Sequence, residues 1–405
     1  MDAEIVAVGS ELLLGQIVDT NSATIGRHFA EIGLNLFYKT TVGDNLGRVT
    51  ACLRQALGRS DVVVTTGGIG PTEDDITREA VAAATDRELV FHEDLWRQIQ
   101  VFFESRGVTA SESNRRQAWI PAHAIIVENP VGTAPAFIVE HRGKTVITLP
   151  GVPREMEHLL RTRALPYLRE RYGIKGEIRL RVLKIVGLGE SRVGERIADF
   201  MARGSNPTIG TLAHLGQVDV RIAAKADDRA AAEQLIAPVE AEIRARLGDA
   251  VFGADAETLE SVIAERLGGA GARVALVEVG TAGTATERLA AAVPERLAAG
   301  LVVASSGGLG ALGVDFAAID GPLERATAAA SAIARWAGVD VGGAAWLEDL
   351  PGSAPPIVRA AVAVSVRGRA GGREHRVGGD RASVRIRAAT LLLDEVRRAL
   401  ATGRS

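Results

Sequence analysis

The chain has 405 residues, more than one ordinary hydrophobic core holds, so it reads as two or three domains. It is globular in composition, with 47% hydrophobic and 24% charged residues, and a formal net charge of −3 argues against the basic face of a general nucleic-acid binder. The single cysteine, Cys52, excludes an internal disulfide and a thiolate zinc site.

The first residues, MDAEIVAVGSE, are acidic and enter a short strand at once, which is unlike a secretory leader. No apolar run approaches the ~20 residues that span a bilayer, and a soluble cytoplasmic protein is expected. In chain order, Glu4–Val8 is a predicted strand and Thr20–Ile32 a helix with apolar Ile25, Phe29 and Ile32. Leu34–Val42 follows as a strand, Gly47–Leu57 as a helix that holds Cys52 as a small core residue, and Asp61–Thr65 as a buried strand. This β-α-β-α-β order predicts a mostly parallel sheet covered on both faces, with ligands beyond the carboxyl ends of its strands. Four loops fall at such ends: GSELLLGQIVDTNS at 9–22, VGDN at 42–45, TTGGIGPTEDDIT at 65–77 and, after a strand at Lys144–Thr148, LPGVPREM at 149–156.

Residues 172–253 read as a small α+β unit. Its predicted strands are Arg179–Val186, Thr208–Ala213 and Gln217–Ala224, and its helices are Ser191–Arg203 and Ala230–Leu247. Arg179, Arg181, Lys184, Arg192 and Arg196 could contact RNA, but interleaved carboxylates and the lack of a G-x-x-G clamp favour a solvated face. Beyond about residue 256 the chain turns rich in Ala, Gly and Arg, with no Lys and no Tyr. Helices are predicted at Thr258–Leu267, Gly283–Ala292, Leu323–Trp336 and Ala382–Ala401, and strands at Arg273–Val277, Leu301–Ala304 and Val358–Val366. No period of 20–50 residues repeats.

The 65–77 loop mixes two chemistries. Gly67, Gly68 and Gly70 let backbone amides approach an anion, Pro71 stiffens the exit, and a helix starting near Ile76–Thr77 offers its N-terminal amides. Asp74 and Asp75 then either cap that helix or ligate a hard divalent cation that bridges to a phosphate. The other loops repeat the mixture: Ser10, Glu11 and Asn21 in the first, Asp44 and Asn45 in the second, Gly151 and Glu155 in the fourth.

Taken together, GSELLLGQIVDTNS, VGDN, TTGGIGPTEDDIT, LPGVPREME, GLGES at 187–191 and NPTIGT at 206–211 resemble the CinA family, the competence/damage-inducible protein A group. The resemblance implies an α/β protein in three domains. Residues 1–170 would form a three-layer α/β domain similar to the MoaB/Mog proteins of molybdenum-cofactor synthesis. Residues 171–254 would form a small α+β, KH-like linking domain, and 255–405 an α/β amidase-like domain. Carried onto this chain, the aspartates shared with MoaB/Mog proteins are Asp44 and Asp75. The implied activity is metal-dependent hydrolysis of the pyrophosphate in ADP-ribose, in pyridine-nucleotide recycling, by a homodimer. On that reading Asp44 and Asp75 are catalytic, and Asp44, Asp74 and Asp75 hold a divalent cation. Ser10, Glu11, Asn21, Gly67, Gly68, Gly70, Thr72 and Gly151 receive the nucleotide phosphates.

The third part holds two decoys. G-x-G-x-x-G at Gly308, Gly310 and Gly313 is followed by Asp315, Asp320, Gly321 and Pro322, a poor helix start and hence a poor dinucleotide fingerprint. The family's terminal nicotinamide-mononucleotide amidase uses a serine in an E-S-C-T-G-G turn with a later tyrosine and lysine. Here the turn reads Glu278-Val279-Gly280-Thr281-Ala282-Gly283, so valine stands in the nucleophile's place. Ser305 and Ser306 lack a base, and His375 is far along the chain. The amidase is expected to be lost. His28, His92 and His158 sit on predicted helices as packing or surface residues, with no H-x-H or H-E-x-x-H spacing.

Overall fold

The computed structural model describes residues 1–204, 206–304, 306–350 and 357–402. They form two compact units, one of residues 1–179 with 224–234 and the other of residues 180–223 with 235 onward. No described helix is long and apolar enough to cross a membrane.

The first unit is built on a six-stranded sheet in the order Asn35–Val42, Asp2–Val8, Val62–Thr66, Lys144–Leu149, Ala136–His141, Ile125–Val127. The first four strands are parallel and the last two pair antiparallel, which agrees with the mostly parallel sheet expected. Val62–Thr66 is buried along its whole length. A strand covered on both faces needs such an uninterrupted β-branched run, since neither side meets water. One face packs Ile25 and Phe29 of helix Thr20–Glu31, with Met156, Leu160 and Leu168 of the chain after the sheet. The other packs Val49 and Leu53 of helix Leu46–Arg59 and Val81 of helix Thr77–Ala84. Cys52 is half-buried against this second core. His28 and His158 lie on helices as expected, whereas His92 stands just before helix Glu93–Glu104.

Because the four parallel strands run the same way, Val8, Val42, Thr66 and Leu149 all end at one edge. The loops that follow them meet there. The antiparallel strand Ala136–His141 starts at that edge too and brings the preceding Thr133–Ala134 to it.

Strands Thr208–His214, Gln217–Ala226, Glu177–Val186 and Val251–Ala254, which belong mostly to the second unit, pair in that order in one sheet. A second sheet has the order Leu297–Val303, Val274–Val279, Val341–Asp349, Ile357–Val366, Arg369–Gly378. Predicted helices and strands here fall within a few residues of the observed ones. Three strands escaped the sequence reading: the short Val251–Ala254, and the longer Val341–Asp349 (VGGAAWLED) and Arg369–Gly378 (RAGGREHRVG), of which the longer two are informative. Both carry paired glycines, which disfavour strands locally. Tertiary packing demands them: a Cβ on Gly342 would lie 2.0 Å from Ala330 O, and one on Gly372 would lie 2.3 Å from Val362 O. The G-x-G-x-x-G segment is a 3₁₀ turn, Ser306–Leu312, and the next α-helix starts only at Pro322. That agrees with the case against a dinucleotide fingerprint.

Candidate functional site

A cleft of about 440 Å³ opens at the shared strand edge of the first unit. It brings together Glu11, Asn21, Asp44, Gly67, Gly68, Gly70, Asp74, Asp75 and Gly151, residues from all four loops. Its floor is the glycine turn. Gly67 and Gly68 hold φ of +94° and +67°, and a Cβ on Gly67 would sit 2.2 Å from Val8 O. Only glycine fits that left-handed conformation against a neighbouring backbone. The helix start braces this turn. Thr77 donates its amide to Gly68 O (2.9 Å) and its hydroxyl to Gly67 O (2.8 Å). The first helical amide is thus spent inside the protein instead of facing an anion, which corrects the expectation for that group.

The aspartate pair does not cap the helix. Its N-cap residue is Ile76, which makes no side-chain cap. Asp75 Oδ2 instead accepts from Thr72 N (2.8 Å) and Thr72 Oγ1 (2.5 Å), so the carboxylate is folded back onto its own loop. Asp44 is held similarly across two loops: its Oδ2 accepts from Ser10 N (2.7 Å), and Ser10 Oγ accepts from Asp44 N (3.1 Å). Ser10 and Thr72, expected on phosphate, are outside the cleft lining and stand behind the two aspartates. Asp44 Oδ1 and Asp75 Oδ1 accept no hydrogen bond from the described residues. Asp19, also in the lining, caps helix Thr20–Glu31 through Ser22 N (3.0 Å) and pairs with Lys39 Nζ (2.8 Å). Burial pushes its carboxyl up, but the bonds from Lys39 and Ser22 outweigh this and leave it below the usual carboxylate range.

The charge balance of the cleft is one-sided. Six carboxylates, Glu11, Asp19, Asp44, Asp74, Asp75 and Glu155, line it, and no Lys or Arg does among the described residues. Oxygen donors alone suit a hard cation such as Mg²⁺ or Ca²⁺. Among the described residues no three Asp, Glu, His or Cys side chains cluster as a ready-made metal cage. A cation that shares phosphate oxygens and water needs only one or two carboxylates, and Asp44 and Asp75 each keep an Oδ1 without a hydrogen bond from the described residues. Asp74, exposed and beyond Asp75, is the weaker member of the expected set.

Arg78 went unread in the sequence, and Asn21 and Glu155 were read there without their partners. Arg78 is 1% exposed and donates to Ile69 O (2.5 Å) and Gly70 O (2.8 Å), which clamps the glycine turn from below. Burial pushes its guanidinium down to about 10. Asn21, expected on phosphate, donates to Thr66 Oγ1 (2.9 Å) and Gly151 O (2.8 Å) and so ties three loops together. Glu155 accepts from Asn129 Nδ2 (2.6 Å), and burial raises its carboxyl above the usual value. A buried arginine inside a helix-start pattern carries no local signal. Only the three carbonyl-exposing glycines nearby hinted that something must hold them.

In the second unit, Val279 is buried among Val277, Leu309, Phe316 and Trp346 at the end of its strand. The fully buried Glu278 accepts from Thr281 Oγ1 (2.5 Å), Ala285 N (3.1 Å) and Thr286 N (2.7 Å). His375 lies on a strand three places away in the sheet, about 14 Å at the usual strand spacing. Ser305 falls outside the described residues.

Two family models match the chain: "Probable molybdopterin binding domain" over residues 4–170 and "Damage-inducible protein CinA KH domain" over 180–253. A CinA-like protein from Kosmotoga olearia is 37% identical over 412 residues, covering 99% of each chain. One from Dictyoglomus thermophilum is 36% identical over 413 residues, again covering 99% of each. The crystal structure of the protein CinA from Thermoplasma acidophilum is 38% identical, covers 41% of this chain and 96% of that one, and superposes with a TM-score of 0.38. With full-length relatives at this identity and both family models in order, the chain belongs to the CinA family, with a MoaB/Mog-like first domain and a CinA KH domain after it.

Proposed function

We propose that the first unit hydrolyses a nucleotide pyrophosphate such as ADP-ribose, to AMP and ribose 5-phosphate, with a divalent cation supplied alongside the substrate. The observation that carries this is the pairing of a glycine-floored turn with six carboxylates and no lining cation. The turn suits a phosphate, and the carboxylates would repel one unless its charge arrives neutralised. When bound, a divalent cation would offset phosphate charge and polarise phosphorus. Asp44 and Asp75 would hold it through their free oxygens. Ser10 and Thr72 keep these carboxylates in place, and Arg78 fixes the Ile69 and Gly70 carbonyls of the turn. Leu12, Ile17 and Val18 add an apolar wall, with Val18 84% exposed beside the opening, against which a base could pack.

A second reading, a pterin- or nucleotide-binding module without turnover, is favoured by the molybdopterin-binding description of the matching family model. Incubation of the full chain with ADP-ribose and a panel of divalent cations separates the two. AMP formation that requires the cation supports hydrolysis. Tight binding without AMP under every cation supports the binding module.

A further inference from the structure

We propose that Glu155 is the proton donor to the departing phosphate in this hydrolysis; the assignment rests on the pyrophosphatase reading above. Glu155 lines the cleft from the loop and short helix after strand Lys144–Leu149. Asp44 follows strand Asn35–Val42 at the opposite end of the parallel run, three strands away, about 14 Å at the usual spacing. Asp75 follows Val62–Thr66, one of the two strands between them. The cleft therefore has a carboxyl group on each flank, as a reaction that gains a proton at one oxygen and loses one at another requires.

The Glu155 side chain is held by the loop that precedes strand Ala136–His141. Asn129 Nδ2 donates to its Oε2 at 2.6 Å. Asn129 is itself locked, with Nδ2 also donating to Ala134 O (3.0 Å) and Oδ1 accepting from Val131 N (3.1 Å). The same loop closes over the carboxyl at Gly132, where a Cβ would lie 1.9 Å from Oε2. Oε1 accepts no hydrogen bond from the described residues and is the oxygen left to carry a proton. Burial under this loop pushes the carboxyl up, with the Asn129 bond and the charge of Arg154, on its own helix, acting against it. The lining also carries Glu11, Asp19, Asp44, Asp74 and Asp75, and the covering loop brings no cation to it. Asp19 is held low while Glu155 is held high. Environments that push carboxyl groups apart in this way separate an acid from its ionised neighbours.

The step balances as follows. A water oxygen bonds to one phosphorus, and the bridging P–O bond breaks with its electron pair leaving on the second phosphate. The Glu155 proton passes to that oxygen. The proton lost by the water goes to solvent, which later reprotonates Glu155.

The test is a pH profile of kcat and KM for wild type, Glu155→Gln and Glu155→Asp with ADP-ribose and the best cation. The wild type should lose kcat on the alkaline side of the Glu155 titration. Glu155→Gln keeps an acceptor for Asn129 but cannot give a proton, so it should lose roughly 10²-fold in kcat with KM little changed, and lose the alkaline limb. Glu155→Asp should keep the limb at reduced rate. Wild-type kcat and limb in a folded Glu155→Gln protein overturn the assignment and leave the pyrophosphatase reading standing, as does a raised KM at unchanged kcat. Absence of turnover by the wild type under every cation overturns both.

Discussion

At the scale of single residues, the cleft separates groups that act from groups that hold. Asp75 has one oxygen tied to Thr72 and one free, so on the proposed function its removal takes a cation ligand from the site without touching a helix cap. Asp75→Ala should abolish ADP-ribose hydrolysis while costing about 1 kcal/mol of stability, the worth of the Thr72 hydrogen bonds. Thr72→Val keeps the amide bond and loses the hydroxyl, and should reduce turnover by about 10–100-fold, as loss of a ligand's supporting partner does. Steady-state rates and denaturant midpoints of both variants check this; wild-type turnover in a folded Asp75→Ala protein would remove Asp75 from the mechanism. Glu155 gives a separate, activity-free signature. Its folded pKa is raised above the usual 4.5 by burial. For such an acid the stabilising form is the protonated one: its contribution is full below the unfolded value and is lost as pH rises through the folded value. Glu155→Gln escapes that loss, so its stability relative to wild type should climb from about pH 4.5 upward and then level off. Urea midpoints at about pH 4, 6 and 8 measure it, and a difference that does not vary with pH would contradict burial of a titrating carboxyl.

At the scale of elements, the glycine turn and the helix before it make opposite predictions for the same substitution. Gly67 has φ of +94° and faces Val8 O, so Gly67→Ala adds backbone strain of about 1–3 kcal/mol and a clash no side chain can relieve. Gly58, exposed near the end of helix Leu46–Arg59, has nothing within 4 Å of the place a methyl would take, so Gly58→Ala should stabilise by about 0.5–1 kcal/mol. Thermal melts of the two variants should move in opposite directions. The same contrast explains what the sequence made legible. The parallel strands were readable because Val62–Val64 and its neighbours are apolar runs bounded by helices with regular spacing. The convergence of four loops followed from strand direction alone. Strand Val341–Asp349 was not readable, because Gly342 and Gly343 are there to admit Ala330 and Leu276 from other elements, a demand made by packing partners remote in sequence. Arg78 and the Asn129–Glu155 pair were hidden for the same reason: their meaning is set by carbonyls and carboxyls that only the fold brings near.

At the scale of the whole molecule, each unit has a glycine-rich turn that leads from a parallel strand straight into an α-helix, and the two have met different fates. In the first unit the turn opens into a cleft lined by carboxylates. In the second, the amides at the start of helix Thr284–Ala292 are already occupied, since Glu278 accepts from Ala285 N and Thr286 N. An amidase there needs a nucleophile, a group to take its proton and donors for the developing oxyanion. Val279 is buried apolar packing, the chain beyond residue 256 has no Lys or Tyr, and His375 lies about 14 Å away across three strands. The full chain should therefore release no ammonia from nicotinamide mononucleotide. Val279→Ser alone should not revive the reaction, because the new hydroxyl would sit in the Leu309–Phe316–Trp346 core with no base beside it, and it should cost about 1–3 kcal/mol as an unpaired buried polar group. Ammonia release above that of a heat-inactivated control, by wild type or by Val279→Ser, would show that a nucleophile and base outside this turn do the chemistry, and would make the chain bifunctional.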